Sequence, residues 1–297
     1  MCQNHAMPSA PRTARALARA ELTRAILDRA AVQLAEVGPA ALSVRQIARD
    51  LEMASSAVYR YFPSRDALLT ALLIRAFDDL GQAVEDGDAN AARDDLRGRF
   101  SGQAHALRSW ALAHPHDYAL TYGTPVPGYV APTDTVDAAT RVSFALLTLV
   151  RDAQEAGHPL GASTRPATEA ERAALVPVRG FVGDLDESRA VRGVMVWATL
   201  FGHVSLELFG HMNQGILDYD AHFAQVVEQL ADDLGLCRWP PDSTRATGSP
   251  CSCPARRRTS TWSWGCSPPG WSRSRWTRGS RPTSASVSSQ ACPPRCW

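Results

Sequence analysis

The stretch from Ser43 to Arg65, SVRQIARDLEMASSAVYRYFPSR, decides the fold, because it sets two short amphipathic segments on either side of a tight turn. Ser43 stands three residues before Gln46, the spacing of a capping box, and Val44, Ile47, Ala48 and Leu51 then recur on one helical face. A short first helix follows from that pattern. Ser55 or Ser56 can cap a second helix through Ala57, Val58, Tyr59, Arg60, Tyr61 and Phe62, which Pro63 stops because its ring nitrogen carries no hydrogen to donate. The whole reads as a helix-turn-helix. Small hydroxyl residues at the start of its second helix, followed by Tyr and Arg, suit a helix end pushed into a major groove.

On the amino-terminal side, Leu22, Ile26, Ala30, Leu34 and Val37 mark one face of a longer helix that Gly38-Pro39 ends. This helix is expected to be the scaffold for the helix-turn-helix. On the other side a fourth helix begins near Ser64, with Asp66 in its first turn and Leu68, Leu69, Leu72, Leu73, Ala76 and Leu80 spread over a broad apolar face. A face that wide predicts burial from two sides, so the helix links the head to a second domain.

With those residues in view, the run from about Thr23 to Leu80 resembles the amino-terminal DNA-binding domain of the tetracycline-repressor (TetR) family. SVRQIARDL, AVYRYFPSRDALL and the preceding ILDRAAVQLAEVG carry the resemblance. Two positions depart from the family pattern. Glu52 stands where such proteins often carry glycine in the turn, and Ala54 stands where a Ser or Thr cap is usual, which shifts the expected cap to Ser55. The resemblance implies that Ser43, Arg45, Tyr59, Tyr61 and Arg65 bind phosphates, and that Ser55, Ser56, Ala57 and Arg60 face or flank base edges. Tyr61 replaces a frequent histidine, yet its hydroxyl can still donate to phosphate. Tyr59 and Phe62 can alternatively be core. Arg12, Arg15 and Arg19 fall in an expected disordered basic arm, 1–19, either solvated or reaching a minor groove.

Composition bounds the rest. The chain has 297 residues, 45% hydrophobic and 21% charged, enough for a sizeable core and two domains. No uninterrupted apolar run reaches the roughly 18 residues of a membrane span, and the first twenty residues lack the apolar centre of a secretory signal, so a cytoplasmic protein without membrane partners is expected. The net charge of +1 hides an asymmetry: 22 arginines face 29 acidic residues up to Pro240, and nine face Asp242 alone beyond it. Five of the seven cysteines and five of the eight tryptophans also lie beyond Pro240, among Ser, Pro and Arg. A tail at 238–297 with so few aliphatic residues is expected to be disordered. Lysine is absent throughout, and the abundance of Ala, Arg, Gly and Pro suggests a GC-rich gene, in which a shifted reading frame yields Arg, Ser, Pro, Cys and Trp, so the tail reads as a frameshifted or read-through end.

Between head and tail, helices are expected over about 91–113 and from Thr133 or Asp134 onward, the second carrying Val142, Leu146, Leu149 and Val150. Glu85 to Asn90 reads as a polar break, and Tyr118 to Pro132 as a short helix followed by a Pro/Gly-rich loop. Leu160 to Asp186 reads as irregular apart from a helical turn near Thr168 to Leu175. A long apolar helix at Ser188 to Met212, with Gly193, Ala198 and Gly202 as sites of close approach, precedes one capped by Asp218 and carrying Phe223, Val226, Val227, Leu230 and Leu234. This final pair resembles the family's dimerisation bundle, with Val227 and Leu230 on the expected interface.

Trp110, Tyr118, Tyr122, Phe144, Trp197, Phe201 and His203 are the candidate lining of a ligand cavity, although aromatic residues at helical spacing also serve as plain core. No metal or other cofactor is expected: His203 and His211 are eight apart, not the four of a helical zinc pair, and the tail cysteines lack paired Cys-x2-Cys knuckles. An enzyme is not expected either, since neither a Gly-x-Ser-x-Gly elbow nor a phosphate loop occurs. The expectation is therefore an all-α chain: a helix-turn-helix head at 20–80 and a helical ligand-binding and dimerisation domain at 81–237. By resemblance it is a ligand-responsive regulator, a repressor, binding a palindromic double-stranded DNA operator as a homodimer and answering to a small-molecule effector. The alternative is a helical module whose head binds protein.

Overall fold

A computed structural model describes residues 13–161, 165–175 and 183–236 of the chain. Among these residues there are ten α-helices and no strand. They are α1 (Ala14–Val37), α2 (Val44–Asp50), α3 (Ser55–Tyr59), α4 (Arg65–Ala89), α5 (Leu96–Ala113), α6 (Pro115–Tyr122), α7 (Val136–Glu155), α8 (Glu169–Ala174), α9 (Glu187–Leu208) and α10 (Tyr219–Asp233). The expected tail lies outside the described residues, as does Arg12.

Helix α1 starts earlier than the sequence suggested. Thr13 accepts a hydrogen bond from the Ala16 N–H at 3.3 Å, so Arg15 and Arg19 ride on a capped helix and not on a disordered arm. Its inward face holds Ile26, Ala30, Gln33 and Leu34, whereas Leu22 and Val37 are 39% and 52% exposed, a correction to the apolar face read from the sequence. The middle and carboxyl-terminal half of this helix bury into the rest of the head. There Ile26, Ala30, Val44, Ile47, Val58, Phe62, Leu68 and Leu72 form one core, and buried Gln33 accepts from the Ser43 N–H at 2.7 Å.

Helix α4 joins two cores, as its broad apolar face requires. Leu68, Leu69 and Leu72 belong to the head, while Ala76, Leu80 and Val84 belong to a second core shared by α5, α7, α9 and α10. The expected break at Glu85 to Asn90 does not occur, because α4 continues to Ala89. The reason is a close crossing: a Cβ on Gly87 would stand 2.5 Å from the Gly102 carbonyl oxygen, so glycine here serves helix contact and not chain reversal. Asp95 caps α5, accepting from the Gly98 N–H at 2.9 Å. Helix α7 opens from a 3₁₀ turn at Thr133–Thr135 with no side-chain cap, contrary to the expectation for Thr133 or Asp134.

Ion pairs tie the second core together from α5. Arg97 reaches Glu228 (2.6 Å) and Asp232 (2.8 Å) on α10, Arg99 reaches Asp88 (3.1 Å) and Asp152 (2.8 Å), and Arg108 holds Glu207 on α9 at 2.7 Å. Each guanidinium is largely buried and each has carboxylates, the condition under which a buried charge is tolerated. Val227 and Leu230 lie inside this core, 1% and 8% exposed, and so do not form the outward face assigned to them. Of the three small residues read as crossing points on α9, Gly193 is one, a Cβ there standing 2.9 Å from Leu147 Cδ2; Gly202 meets nothing within 4 Å and Ala198 is exposed.

Candidate nucleic-acid interface and interior cavity

The turn between α2 and α3 is set by one residue. Glu52 has φ 55°, the left-handed region in which an L-residue costs roughly 1 kcal/mol. The Met53 N–H donates to Ala48 O at 2.8 Å and closes the turn. Helix α3 then begins at Ser55 with Ala54 as its cap residue, which has no side-chain acceptor, so Ser55 is a helical residue and not the cap. Ser43 is the cap of α2, its Oγ accepting from the Gln46 N–H at 3.3 Å.

The candidate contacts divide by exposure. Arg45, Ser56, Tyr59 and Arg60 face solvent, Ser43, Ser55, Ala57, Tyr61 and Arg65 are half-buried, and Val58 and Phe62 are core. Tyr59, 41% exposed, is therefore not a core residue. Arg45 and Arg60 have no ion-pair partner among the described residues, which leaves both guanidinium groups free for an external anion. Arg65 differs: its Nη2 donates to Pro39 O at 2.6 Å and Ala40 O at 3.2 Å. The Arg19 guanidinium lies 5.1 Å from the Tyr61 ring centroid, which sets the amino-terminal part of α1 beside the end of the helix-turn-helix. Only the α1 boundary, hidden in an arginine-alanine run without strong amphipathicity, could have signalled this pairing.

In the second core, Val84, Gln103, Ala104, Leu107, Val142, Leu146, Trp197, Leu200 and Phe201 surround a cavity of about 20 Å³. That is room for about one water, against roughly 300 Å³ or more for a ligand pocket. Of the seven aromatic candidates only Trp197 and Phe201 line it. Tyr118 is fully buried, its hydroxyl donating to Phe201 O (3.2 Å) and paired with Ser205 Oγ (2.8 Å); Tyr122 packs on Phe201 at 4.3 Å, and burial pushes its phenol pKa upward. Trp110 stacks on His114 at 5.0 Å, and Phe144 is half-buried and not among the lining residues of the cavity. Gln103 was missed, although a glutamine on the apolar side of α5 was its signal. Its amide donates to Asp88 (2.7 Å) and Ala145 O (3.3 Å).

The comparisons with known proteins fall on the same two regions. Residues 26–72 match the model of bacterial regulatory proteins of the tetR family, and residues 100–230 match the tetracyclin repressor-like C-terminal domain. The HTH-type transcriptional regulators Rv1816 of Mycobacterium tuberculosis and Mb1846 of Mycobacterium bovis are each 37% identical over 227 residues, 72% of this chain and 94% of theirs. The chain belongs to the TetR family.

Two solved structures agree with this assignment. SCO4313 is 32% identical with a TM-score of 0.61 over 73% of this chain and 98% of its own, and a protein from Rhodococcus sp. RHA1 is 30% identical with a TM-score of 0.56 over 72% and 95%. This TetR-family chain is thus a transcriptional regulator with a helix-turn-helix DNA-binding domain, and the family is one of DNA-binding regulators, not enzymes. No helix among the described residues is long and apolar enough to cross a membrane.

His203 stands apart from the cavity. It is 6% exposed, both ring nitrogens are buried without a hydrogen-bond partner, and it stacks on His222 at 5.1 Å. Burial, with His222 beside it, holds its pKa below the ordinary histidine value, so the ring is a neutral core group in this regulator.

Proposed function

We propose that this regulator is a homodimeric repressor that binds a palindromic operator and releases it when a small molecule enters the second core. The observation that carries the DNA reading is the free exposed quartet Arg45, Ser56, Tyr59 and Arg60 around α2 and α3. In this reading Ser43, Arg45, Tyr59 and Tyr61 meet phosphates, and Ser55, Ser56, Ala57 and Arg60 meet or flank base edges. Arg65, whose guanidinium is engaged by the Pro39 and Ala40 carbonyls, positions the loop before α2.

Dimerisation is supported by the outer face of α9, where Met195 (51% exposed), Ala198, Thr199, Gly202, Leu206 (44%) and Phe209 (40%) recur at helical spacing. A mid-helix glycine costs about 1 kcal/mol relative to alanine, and no intrachain neighbour of Gly202 explains it. A second copy crossing there gives it a reason. Coupling to the head is supported by α6 and the loop after it: Tyr122 packs on Phe201, Val126 enters the head core, and Tyr129 Oη lies 2.9 Å from Thr70 Oγ1. Displacing Phe201 pushes on a segment that is anchored in the head, and so changes the spacing of two heads that must fit major grooves about 34 Å apart.

Footprinting of the DNA upstream of the gene tests this reading. An inverted repeat protected symmetrically supports it. Binding without sequence preference, falling steeply with salt, points instead to an unspecific basic surface and overturns it.

A further inference from the structure

The effector's chemical class follows from the cavity, if the reading of an effector-responsive regulator holds. Eight of the nine lining residues are buried, and Trp197 alone is half-buried, so the lining is least covered on its side. The same indole has a second peculiarity. Its Nε1 is buried and has no hydrogen-bond acceptor, which leaves a donor desolvated without compensation. The remaining lining is aliphatic or aromatic except for Gln103, whose amide hydrogens are held by Asp88 and Ala145 O.

The charges near this lining are already matched. Asp88 accepts from both Gln103 and Arg99, Arg99 also holds Asp152, and Glu207 is held by Arg108 through two bonds of 2.7 Å. A carboxylate or an ammonium group placed in the cavity would therefore lose its water and gain no counter-ion, a cost that a neutral molecule avoids. We infer that the effector is an uncharged, largely apolar molecule with one hydrogen-bond acceptor, which enters past Trp197 and accepts the hydrogen of its indole Nε1. Because the cavity holds about one water, the ligand makes its own room by turning the Trp197 and Phe201 rings.

Three probes of matched shape test this on the full chain by calorimetry: 4-phenyl-2-butanone, butylbenzene and 3-phenylpropanoate. The ketone should bind about fivefold tighter than the hydrocarbon, the value of one net hydrogen bond, and the carboxylate should bind least. Trp197→Phe should remove the ketone's advantage over the hydrocarbon, whereas a merely structural loss would weaken both alike. Should Trp197→Phe fail to fold, the indole N–H resonance of Trp197 in the unaltered chain supplies the same answer, moving with the ketone and not with butylbenzene. Preferred binding of 3-phenylpropanoate, an unchanged ketone-to-hydrocarbon ratio in Trp197→Phe, or no binding of the ketone would overturn the inference. Ketone binding that obeys these rules but never releases operator DNA would leave the ligand class standing and overturn the effector reading.

Discussion

Arg65, the first residue of α4, donates from Nη2 to the carbonyl oxygen of Pro39 at 2.6 Å and so fastens the fourth helix to the turn between the first two. The family resemblance implies a phosphate contact for Arg65, and in the free protein its Nη2 hydrogen bonds go to the Pro39 and Ala40 carbonyls. Arg65→Ala should lower stability by about 1 to 2 kcal/mol through lost charge-assisted hydrogen bonds, and weaken operator binding with the salt slope unchanged. Arg45→Ala should do the reverse, lowering the magnitude of the salt slope by about 0.9 with little change in melting temperature. Thermal unfolding and binding titrations at several salt concentrations separate the two, and identical effects would contradict the assignment.

Glu52 adopts φ 55° in the turn of the helix-turn-helix. Glu52→Gly should relieve roughly 1 kcal/mol of backbone strain, partly offset by the greater freedom of glycine in the unfolded chain. A rise in melting temperature of a degree or more is expected. A fall would mean that the Glu52 side chain contributes more than its backbone costs.

The crossing of α4 and α5 at Gly87 and Gly102 leaves no room for a methyl group, each Cβ standing under 3 Å from the other glycine's carbonyl oxygen. Gly87→Ala or Gly102→Ala should therefore cost about 1 to 3 kcal/mol by overpacking, although alanine is the better helix former. Chemical denaturation measures this, and a stabilised variant would contradict the close crossing.

The outer face of α9 and the inner face of α10 make opposite predictions. Leu206→Glu, on the exposed stripe, should give a folded monomer, whereas Val227→Asp, buried at 1% exposure, should unfold the second core. Sedimentation together with circular dichroism distinguishes the two. A Leu206→Glu protein that remains dimeric would move the interface elsewhere.

These contrasts mark what the sequence could tell. The helix-turn-helix was legible because capping and apolar period act locally: Ser43 caps α2, and Val44, Ile47 and Val58 are core, although the cap expected at Ser55 or Ser56 falls at Ala54. Boundaries set by tertiary contact were not. The Glu85 to Asn90 segment reads as a break because its residues are polar, yet Gly87 is held helical by α5. The direction in which an apolar face points was equally hidden: Val227 and Leu230 have the right period for an interface, but the same period fits a core, and only the packing of α5, α9 and α10 decides. Trp197 and Phe201 were picked out as aromatic, while Gln103, Leu107 and Ala104 joined them only through the crossing of α5 with α9.

The most direct test is selection of binding sites by the full chain from a pool of random DNA duplexes at physiological salt, followed by counting the chains bound to an enriched duplex. An enriched inverted repeat is expected, with half-sites about one helical turn apart, a pair of chains on each duplex, and loss of discrimination at one symmetric pair of positions in Arg60→Ala. Failure of any sequence to enrich, or enrichment of an asymmetric site bound by a single chain, would contradict it.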